Sequence, residues 1–322
     1  MFQLKARAVA EANTKDPTDK TATRGLLLGL AAIVLWSLTA ALVALGADAM
    51  GAWPFLALAT LTGGALQMGF RRWHHGELRS ALILPGTLWL VTIFGFVLYG
   101  VVYPLAIAVA ATEAERCGVN LINYLWPPLT VVCAVLWVPR TRFGPLLVLA
   151  IGCALAGTVL ANLRQIGAAF SGPAELAGAW GPERLAPYIL ALVGAVVWAV
   201  YSSLLARWRD WARDYATSPV GLLAIGLIAT CASVATGGGW PGLTLMGVVA
   251  AVLCGVGPQG GGYLLWELAV TRADVKTLGL LGAMTPILST AWLCLFLRYV
   301  PGYELVLAAV LVSGAVVLST RS

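Results

Sequence analysis

The sequence is poor in charged residues, because Asp, Glu, Lys and Arg make up only 11% of its 322 residues; soluble chains carry roughly 25%. The 20 basic and 14 acidic side chains cannot cover a globule of this size with charge. This shortage excludes a water-soluble enzyme, a nucleic-acid-binding module and a disordered regulator. Hydrophobic residues make up 60% of the chain and the mean hydropathy is +0.88, which indicates a polytopic membrane protein.

Ten apolar runs have about the 20 residues that an α-helix needs to cross roughly 30 Å of hydrocarbon. A β-barrel would alternate apolar and polar residues, whereas the first run is apolar on every face. We therefore predict an all-α membrane protein with ten transmembrane helices. The runs are 25–47, 52–70, 87–110, 117–138, 143–161, 187–206, 218–236, 244–268, 277–298 and 303–320.

The distribution of Lys and Arg predicts that both termini are cytoplasmic. With the N-terminus inside, 16 of the 20 basic residues fall in cytoplasmic segments, and these segments normally hold the excess. One missed or extra span would destroy this asymmetry, so it also supports the number ten. The residues left outside are Arg116, Arg164, Arg184 and Arg298.

Residues 1–24 are interpreted as a solvated, mixed-charge cytoplasmic tail near anionic lipid. The stretch ending at Ala47-Asp48-Ala49 resembles a signal-peptide cleavage site. The apolar run before it is longer than the 7 to 15 residues of a signal core, and cleavage would leave nine spans with the wrong loop charges. We therefore reject a cleaved signal peptide.

The two halves of the chain resemble each other in order. Trp36 matches Trp198 at an offset of 162 residues, and Pro128 matches Pro286 at an offset of 158. We predict a first five-helix repeat at 25–161, an extracytoplasmic linker at 162–186 and a second five-helix repeat at 187–320. Because five is odd, the second repeat must be inverted, and in transporters with inverted repeats the substrate path lies near the midplane between the halves.

Two strings carry a resemblance to a known family: GLAAIVLWS at 29–37 and VNLINYLWPPLT at 119–130. With them the chain resembles the EamA-like drug/metabolite transporter superfamily, and within it the aromatic amino acid exporters. The resemblance covers essentially the whole chain. It implies an inner-membrane exporter whose helices 1 to 4 and 6 to 9 surround a central cavity, with helices 5 and 10 outside. The acidic residue habitual after helix 4 is absent, since VPRTR stands at 138–142.

The fourth run carries a polar stripe, because Asn120, Asn123, Tyr124 and Pro127 fall at i, i+3, i+4 and i+7. Lipid offers no hydrogen bonds, so polar groups at membrane depth should face protein or a cavity. Pro127 and Pro128 should kink the helix and free carbonyl groups that could accept bonds from an ammonium group. We predict that the stripe faces substrate; packing between helices is the alternative.

The eighth run contains GVGPQGGGY at 255–263, and such interrupted segments mark transporter sites. Pro258 should kink it, and Gln259 could bond a substrate carboxylate or cap freed backbone. A phosphate loop is rejected because no Gly-Lys-Ser/Thr follows. The ninth run supplies the smaller groups Thr285, as a substrate contact, and Pro286, as a kink, so the cavity would be asymmetric.

Aromatic residues at mid-span are predicted to line a cavity for a ring, with cation–π attraction to an amine. Tyr99 and Tyr103 share a face at i, i+4, and Trp198 and Tyr201 share one at i, i+3. Aromatic residues near the span ends fit the interfacial belt instead. The mid-span group comprises Trp36, Tyr99, Tyr103, Trp126, Trp198, Tyr201, Tyr263 and Trp266, of which all but Trp266 are predicted to contact substrate.

No carboxylate or histidine is predicted at mid-depth, where proton-coupled carriers usually need one. Glu267, near the cytoplasmic end of helix 8, comes closest, and His74 and His75 fall in a loop with no third metal ligand nearby. The six cysteines are scattered through apolar spans and are predicted to be free thiols. We therefore expect no metal and no cofactor.

The function predicted is export of an aromatic or bulky apolar amino acid by alternating access, without a buried proton relay. Membrane lipids are expected partners, and no nucleic acid or obligate protein partner is indicated. The alternative is export of cationic or amphipathic drugs or metabolites. A channel would need a polar ring, an enzyme a nucleophile–base or metal cluster, and a nucleotide-sugar carrier a basic residue at mid-span.

Overall fold

The computed structural model describes residues 17–137, 144–161, 163, 182–208, 215–237, 242–270, 273, 281–282 and 284–321. Within these residues the chain forms helices and turns and no strand, which confirms the predicted all-α class. The tail up to residue 16 and most of the predicted 162–186 linker lie outside the described residues.

Ten long helical segments within the described residues coincide with the ten apolar runs. A four-residue helix, Arg79–Leu82, precedes the third of them. The segments are α1 (Pro17–Ser37 and Thr39–Met50), α2 (Ala52–His75), α3 (Gly86–Val91, Thr92–Val97 and Leu98–Val109), α4 (Glu113–Asn123 and Trp126–Trp137), α5 (Pro145–Ala161), α6 (Pro182–Arg207), α7 (Thr217–Ala235), α8 (Leu245–Cys254, Gly255–Gly262 and Tyr263–Val270), α9 (Thr285–Phe296) and α10 (Tyr303–Arg321).

Six of these segments are long and apolar enough to cross a membrane: α1, α3, α4, α6, α7 and α8. The apolar stretches of α5, α9 and α10 are shorter, at 10 to 17 residues. Large apolar side chains such as Phe94 and Leu227 are more than 60% exposed on the helix surfaces, which suits contact with hydrocarbon. The structure thus agrees with a multi-pass membrane protein, while ten crossings remain a prediction.

α3 and α8 each contain a π-helical stretch, Thr92–Val97 in α3 and Gly255–Gly262 in α8. Pro258 lies inside the second stretch, where the sequence predicts a kink. π-Helical turns are rare in proteins, and those that occur are often found at functional sites. Because α3 and α8 are the third helices of the two predicted halves, their shared irregularity fits the proposed repeat.

α4 and α9 each contain a helical stretch that begins one residue before a proline. α4 is interrupted after Asn123, and its second part begins one residue before Pro127. α9 begins at Thr285, with Pro286 in its first turn. A proline costs least in the first turn, because the N–H groups there have no intrahelical partner. The kink expected at Pro127 and Pro128 is therefore a break just before them.

α5 and α10 pack closely against each other. An added Cβ at Gly157 of α5 would lie 2.8 Å from Val312 Cγ2 and 2.9 Å from the Ala308 carbonyl oxygen on α10. The glycine therefore lets the two helix backbones approach. Neither helix contributes a ring to the aromatic cluster described below, which agrees with the outer position implied by the family resemblance.

Candidate functional site

Nine aromatic rings meet between α1, α3, α4, α6 and α8, and we call them the ring cluster. Neighbouring ring centroids are 4.6 to 6.4 Å apart, within the range in which aromatic pairs attract. All eight aromatic residues that the sequence places at mid-span are among them. The ring cluster consists of Trp36, Phe96, Tyr99, Tyr103, Trp126, Trp198, Tyr201, Tyr263 and Trp266.

Trp198 of α6 lies at the centre of the ring cluster, with five other rings within 6.4 Å of it. Its shortest ring contact is to Tyr99 of α3, at 4.6 Å. On one side, Tyr99 stacks almost parallel on Tyr103. On the other, Tyr263 of α8 meets Trp36 of α1 edge to face at 5.3 Å. Rings of the two predicted halves therefore interleave.

Two glycines in the π-helical stretches make room for rings. An added Cβ at Gly95 of α3 would lie 2.5 Å from a ring carbon of Tyr201, and one at Gly262 of α8 would lie 2.7 Å from Trp36 Nε1. Any side chain at either position would displace the ring. The irregular parts of α3 and α8 thus shape the ring cluster directly.

Phe96 is a member of the ring cluster that the sequence reasoning missed. Its ring lies 5.1 Å from Tyr263 and 6.1 Å from Trp198, and it fills the space left by Gly221 of α7. The signal was present in the sequence, because Phe96 precedes Tyr99 and Tyr103 at i, i+3 and i+7 and so shares their helix face.

Asn120 of α4 bonds to two neighbouring helices. Tyr103 Oη of α3 donates to Asn120 Oδ1 at 2.7 Å, and Asn120 Nδ2 donates to Ser289 Oγ of α9 at 3.1 Å. Asn120 is fully buried, and Ser289 is 1% exposed. This geometry fits the packing alternative for Asn120, and contact with substrate remains a prediction.

Asn123 lies one turn further along α4, and its acceptor atom is unpaired within the described residues. Its Nδ2 donates to Tyr99 Oη at 3.4 Å, while its buried Oδ1 has no hydrogen-bond partner among the described residues. Trp36 Nε1 is likewise a buried donor without a partner there. Unpaired buried polar atoms cost roughly 1–3 kcal/mol each and call for an explanation. Both atoms belong to residues that touch the ring cluster or form part of it.

The other predicted contacts are not members of the ring cluster. Tyr124 is buried in the same core as Tyr103. Thr285 Oγ1 donates to the carbonyl oxygen of Gly282, three residues earlier in the chain, at 2.7 Å. Gln259 contacts α2, where an added Cβ at Gly63 would lie 2.8 Å from Gln259 Cβ. The side chain of Glu267 lies outside the described residues.

Gln67 of α2 is a buried polar residue that the sequence reasoning missed. Its Nε2 donates to the carbonyl oxygens of Gln259 and Gly260, each at 3.1 Å, and its Oε1 accepts from Ser218 Oγ at 2.9 Å. Gln67 therefore binds the backbone of the π-helical stretch in α8. An amide within an apolar run was the available signal.

Arg116 lies inside α4, although the sequence places the span start at residue 117. Its Nη1 and Nη2 each bond a carboxylate oxygen of Asp48 at 2.6 Å. Thr112 caps the helix by accepting from the Glu115 N–H at 3.1 Å. The cap and the ion pair let α4 begin four residues earlier than hydropathy predicts, and they tie it to the end of α1.

A helical bundle with six helices long and apolar enough to cross a membrane, and with apolar side chains exposed on its surface, belongs to the class of multi-pass membrane proteins. The known proteins that this chain resembles are membrane exporters. The chain is 33% identical over 303 residues to the aromatic amino acid exporter YddG of Ancylobacter novellus, a match that covers 91% of this chain and 96% of that protein. The resemblance seen in the sequence is therefore confirmed.

Two further relatives and a solved structure are similar over most of the chain. The YddG exporter of Salmonella typhimurium is 25% identical, covering 86% of this chain and 90% of its own, and that of Escherichia coli is 26% identical, covering 92% and 97%. A solved crystal structure superposes on the chain with a TM-score of 0.66 at 27% identity. The superposition covers 92% of this chain and 96% of the other. No family model matches the chain.

The chain belongs to the YddG family of the EamA-like drug/metabolite transporter superfamily. It is accordingly a multi-pass protein of the bacterial inner membrane. The relatives are named as exporters and not as enzymes, in agreement with the prediction from the sequence.

Proposed function

We propose that this protein exports aromatic or other bulky apolar amino acids from the cytoplasm, and that the ring cluster lies on their path. The observation that carries the proposal is the interleaving of nine rings from five helices next to two polar atoms, Asn123 Oδ1 and Trp36 Nε1, that have no hydrogen-bond partner in the part of the chain that the structure describes. The names of the relatives support an amino acid as the substrate.

The chemistry of the ring cluster suits an amino acid that carries a ring. Aromatic pairs gain about 0.5–1.5 kcal/mol beyond the burial of their surface, and ring faces attract an ammonium group. Asn123 Oδ1 would accept a bond from the substrate ammonium, and Trp36 Nε1 would donate to its carboxylate. Asn123 bonds Tyr99 and Trp36 contacts Tyr263, with the Trp198 ring between them. A substrate that moves past the Trp198 ring would therefore contact first one of these two atoms, Asn123 Oδ1 and Trp36 Nε1, and then the other.

The overall architecture that this proposal requires is two inverted five-helix repeats, at 25–161 and 187–320, with both termini in the cytoplasm. The π-helical stretches in α3 and α8, and the proline starts within α4 and at α9, support the repeat because they occur at corresponding positions. Alternating access would move one repeat against the other about the ring cluster.

Entry of substrate requires the rings to separate, because here they pack against one another. The charge-based orientation puts Asn120 and Ser289 toward the extracytoplasmic side, where their bond joins α4 to α9. The conformation described here would then be closed on that side. Breaking this contact would open the path outward, and parting the rings on the opposite side would open it inward.

Transport is proposed to run down the amino acid gradient without an obligatory buried proton relay, since the sequence offers no carboxylate at mid-depth. Glu267, near the predicted cytoplasmic end of α8, is the acidic residue that would contradict this. Loss of downhill flux in Glu267→Gln, with reconstitution intact, would show that the protein is proton-coupled.

The test is flux of labelled phenylalanine into liposomes that contain the purified protein. We expect saturable uptake that unlabelled tryptophan and tyrosine compete with and that lysine does not. Uptake no faster than in empty liposomes would overturn the proposal. Competition by bulky aromatic cations, with none by amino acids, would favour the cationic-metabolite alternative.

A further inference from the structure

Two of the six free cysteines lie side by side. Cys117 Sγ of α4 is 4.0 Å from Cys294 Sγ of α9. Both residues are buried, with Cys117 fully buried and Cys294 9% exposed. The two cysteines are 177 positions apart in the sequence, which gives no sign of this proximity. Neither thiol takes part in the ring cluster or in its hydrogen bonds.

The pair joins the two predicted repeats near one end of the bundle. Cys117 follows Arg116, which binds the last helical turns of α1 through Asp48. Cys294 lies in the last turn of α9. One turn deeper, the same two helices are joined by the bond between Asn120 and Ser289. In the charge-based orientation this end faces the extracytoplasmic side, an oxidising compartment in bacteria.

We propose that Cys117 and Cys294 form a reversible disulfide that locks α4 to α9 and holds the transporter closed toward the extracytoplasmic side. The proposal rests on the proposed function, because a disulfide between α4 and α9 stops transport only in a protein whose two repeats separate during transport. The oxidant is a compound or protein disulfide of the extracytoplasmic compartment.

The chemistry is thiol–disulfide exchange. The thiolate of one cysteine attacks a sulfur of the oxidant, which breaks the oxidant's disulfide, forms a mixed disulfide and releases one thiol. The second cysteine then attacks the sulfur of the first, and the second thiol leaves. Two protein thiols lose two electrons and two protons, and the oxidant disulfide gains both to become two thiols.

The geometry requires only a small adjustment. The sulfur atoms must approach from 4.0 Å to about 2.05 Å, the length of a disulfide bond. The helices that carry them are already in contact through Asn120 and Ser289. Because both thiols are buried here, the oxidant reaches them only when the outer ends of α4 and α9 part. The first exchange therefore marks the outward-open state, and the second follows on closure.

The test combines mass spectrometry with the phenylalanine flux assay in liposomes treated with oxidised glutathione. We expect a Cys117–Cys294 linked peptide, a loss of flux of at least about tenfold, and recovery of both the free thiols and the flux with dithiothreitol. Cys117→Ala and Cys294→Ala should transport in the reduced state and resist the oxidant. Cys231→Ala, which removes an exposed cysteine of α7, is the matched control and should stay sensitive.

Absence of the linked peptide after oxidation, or its presence with undiminished flux, would overturn the proposed disulfide lock. Equal inhibition of Cys117→Ala would do so as well, because another thiol would then be responsible. Failure of the proposed function has a different signature, which is reduced wild-type protein that does not transport aromatic amino acids. The linked peptide is measured on the wild-type chain and does not depend on the folding of any variant.

Discussion

Asn120 and Asn123 lie one turn apart on α4, yet their amides have different partners. Asn120 uses both its donor and its acceptor within the protein, toward Tyr103 and Ser289. Asn123 keeps a buried acceptor without a partner among the described residues. The bonds of Asn120 therefore join helices, whereas the unpaired acceptor of Asn123 is the atom that we propose the substrate uses.

Asn123→Ala should lower phenylalanine flux by at least about tenfold while leaving the melting temperature in detergent nearly unchanged. A hydrogen bond to a charged group contributes about 1.5–3 kcal/mol, and about 1.4 kcal/mol corresponds to a factor of ten. Asn120→Ala is the matched comparison. It should lower the melting temperature by several degrees, since it breaks bonds to two helices. Equal effects of both variants on stability and flux would contradict the distinction.

Eight of the nine residues of the ring cluster can be predicted from the sequence. Aromatic side chains in the middle of an apolar run lie far from the membrane surfaces, so they do not belong to the interfacial belt and are expected to pack against one another. Trp36, Trp198 and Tyr263 come from three separate runs and still meet. The sequence predicts their hydrogen bonds poorly, because these depend on rotation about each helix axis. Gln67 illustrates this, since the two carbonyl groups to which it donates lie about 190 residues away in α8.

At the scale of helices, the π-helical stretches of α3 and α8 share one feature, because each places a glycine against an aromatic ring. Gly95 faces Tyr201 of the second predicted repeat, and Gly262 faces Trp36 of the first. Each irregular helix thus contacts a ring of the opposite repeat. A movement of either helix would shift the ring cluster directly.

Gly262→Ala should reduce flux several-fold by forcing the Trp36 indole out of place. Overpacking of this kind costs about 1–3 kcal/mol. Gly152→Ala in α5 is the matched control, because an added Cβ there meets nothing within 4 Å. The two variants are compared by phenylalanine flux at equal protein content. Normal transport by Gly262→Ala would show that this ring contact is dispensable.

Gln67→Leu should lower the melting temperature in detergent, because the carbonyl groups of Gln259 and Gly260 in α8 lose their donor. An unsatisfied buried group costs about 1–3 kcal/mol. Ser218→Ala, which removes the bond to Gln67 Oε1 and leaves both carbonyl groups their donor, should cost less. A Gln67→Leu variant as stable as the wild type would mean that the π-helical stretch does not depend on this amide.

Helix positions follow from hydropathy, and helix ends do not. The start of α4 is four residues earlier than predicted, because the Thr112 cap and the Asp48 ion pair stabilise a polar first turn. The π-helical stretches have no signature in the spacing of apolar residues. Pro258 indicates an irregularity in α8, but Thr92–Val97 contains no proline or other warning beyond Gly95.

For the molecule as a whole, the proposed inverted repeat requires both chain ends on the cytoplasmic side. Reporter tags at the two termini should both be inaccessible to a membrane-impermeant reagent added to intact spheroplasts. A tag inserted in the predicted 162–186 linker should be accessible and serves as the control. Termini on opposite faces of the membrane would contradict the ten-helix arrangement and the assignment of an outer side.

The central claim is that substrate passes through the ring cluster, and protection of a cysteine placed there tests it most directly. In a Phe96→Cys variant that retains flux, saturating phenylalanine should slow alkylation at position 96 by a small soluble maleimide severalfold. A Leu245→Cys variant, at the exposed start of α8, should react at the same rate with and without phenylalanine. An alkylation rate at position 96 that phenylalanine leaves unchanged would contradict passage through the rings.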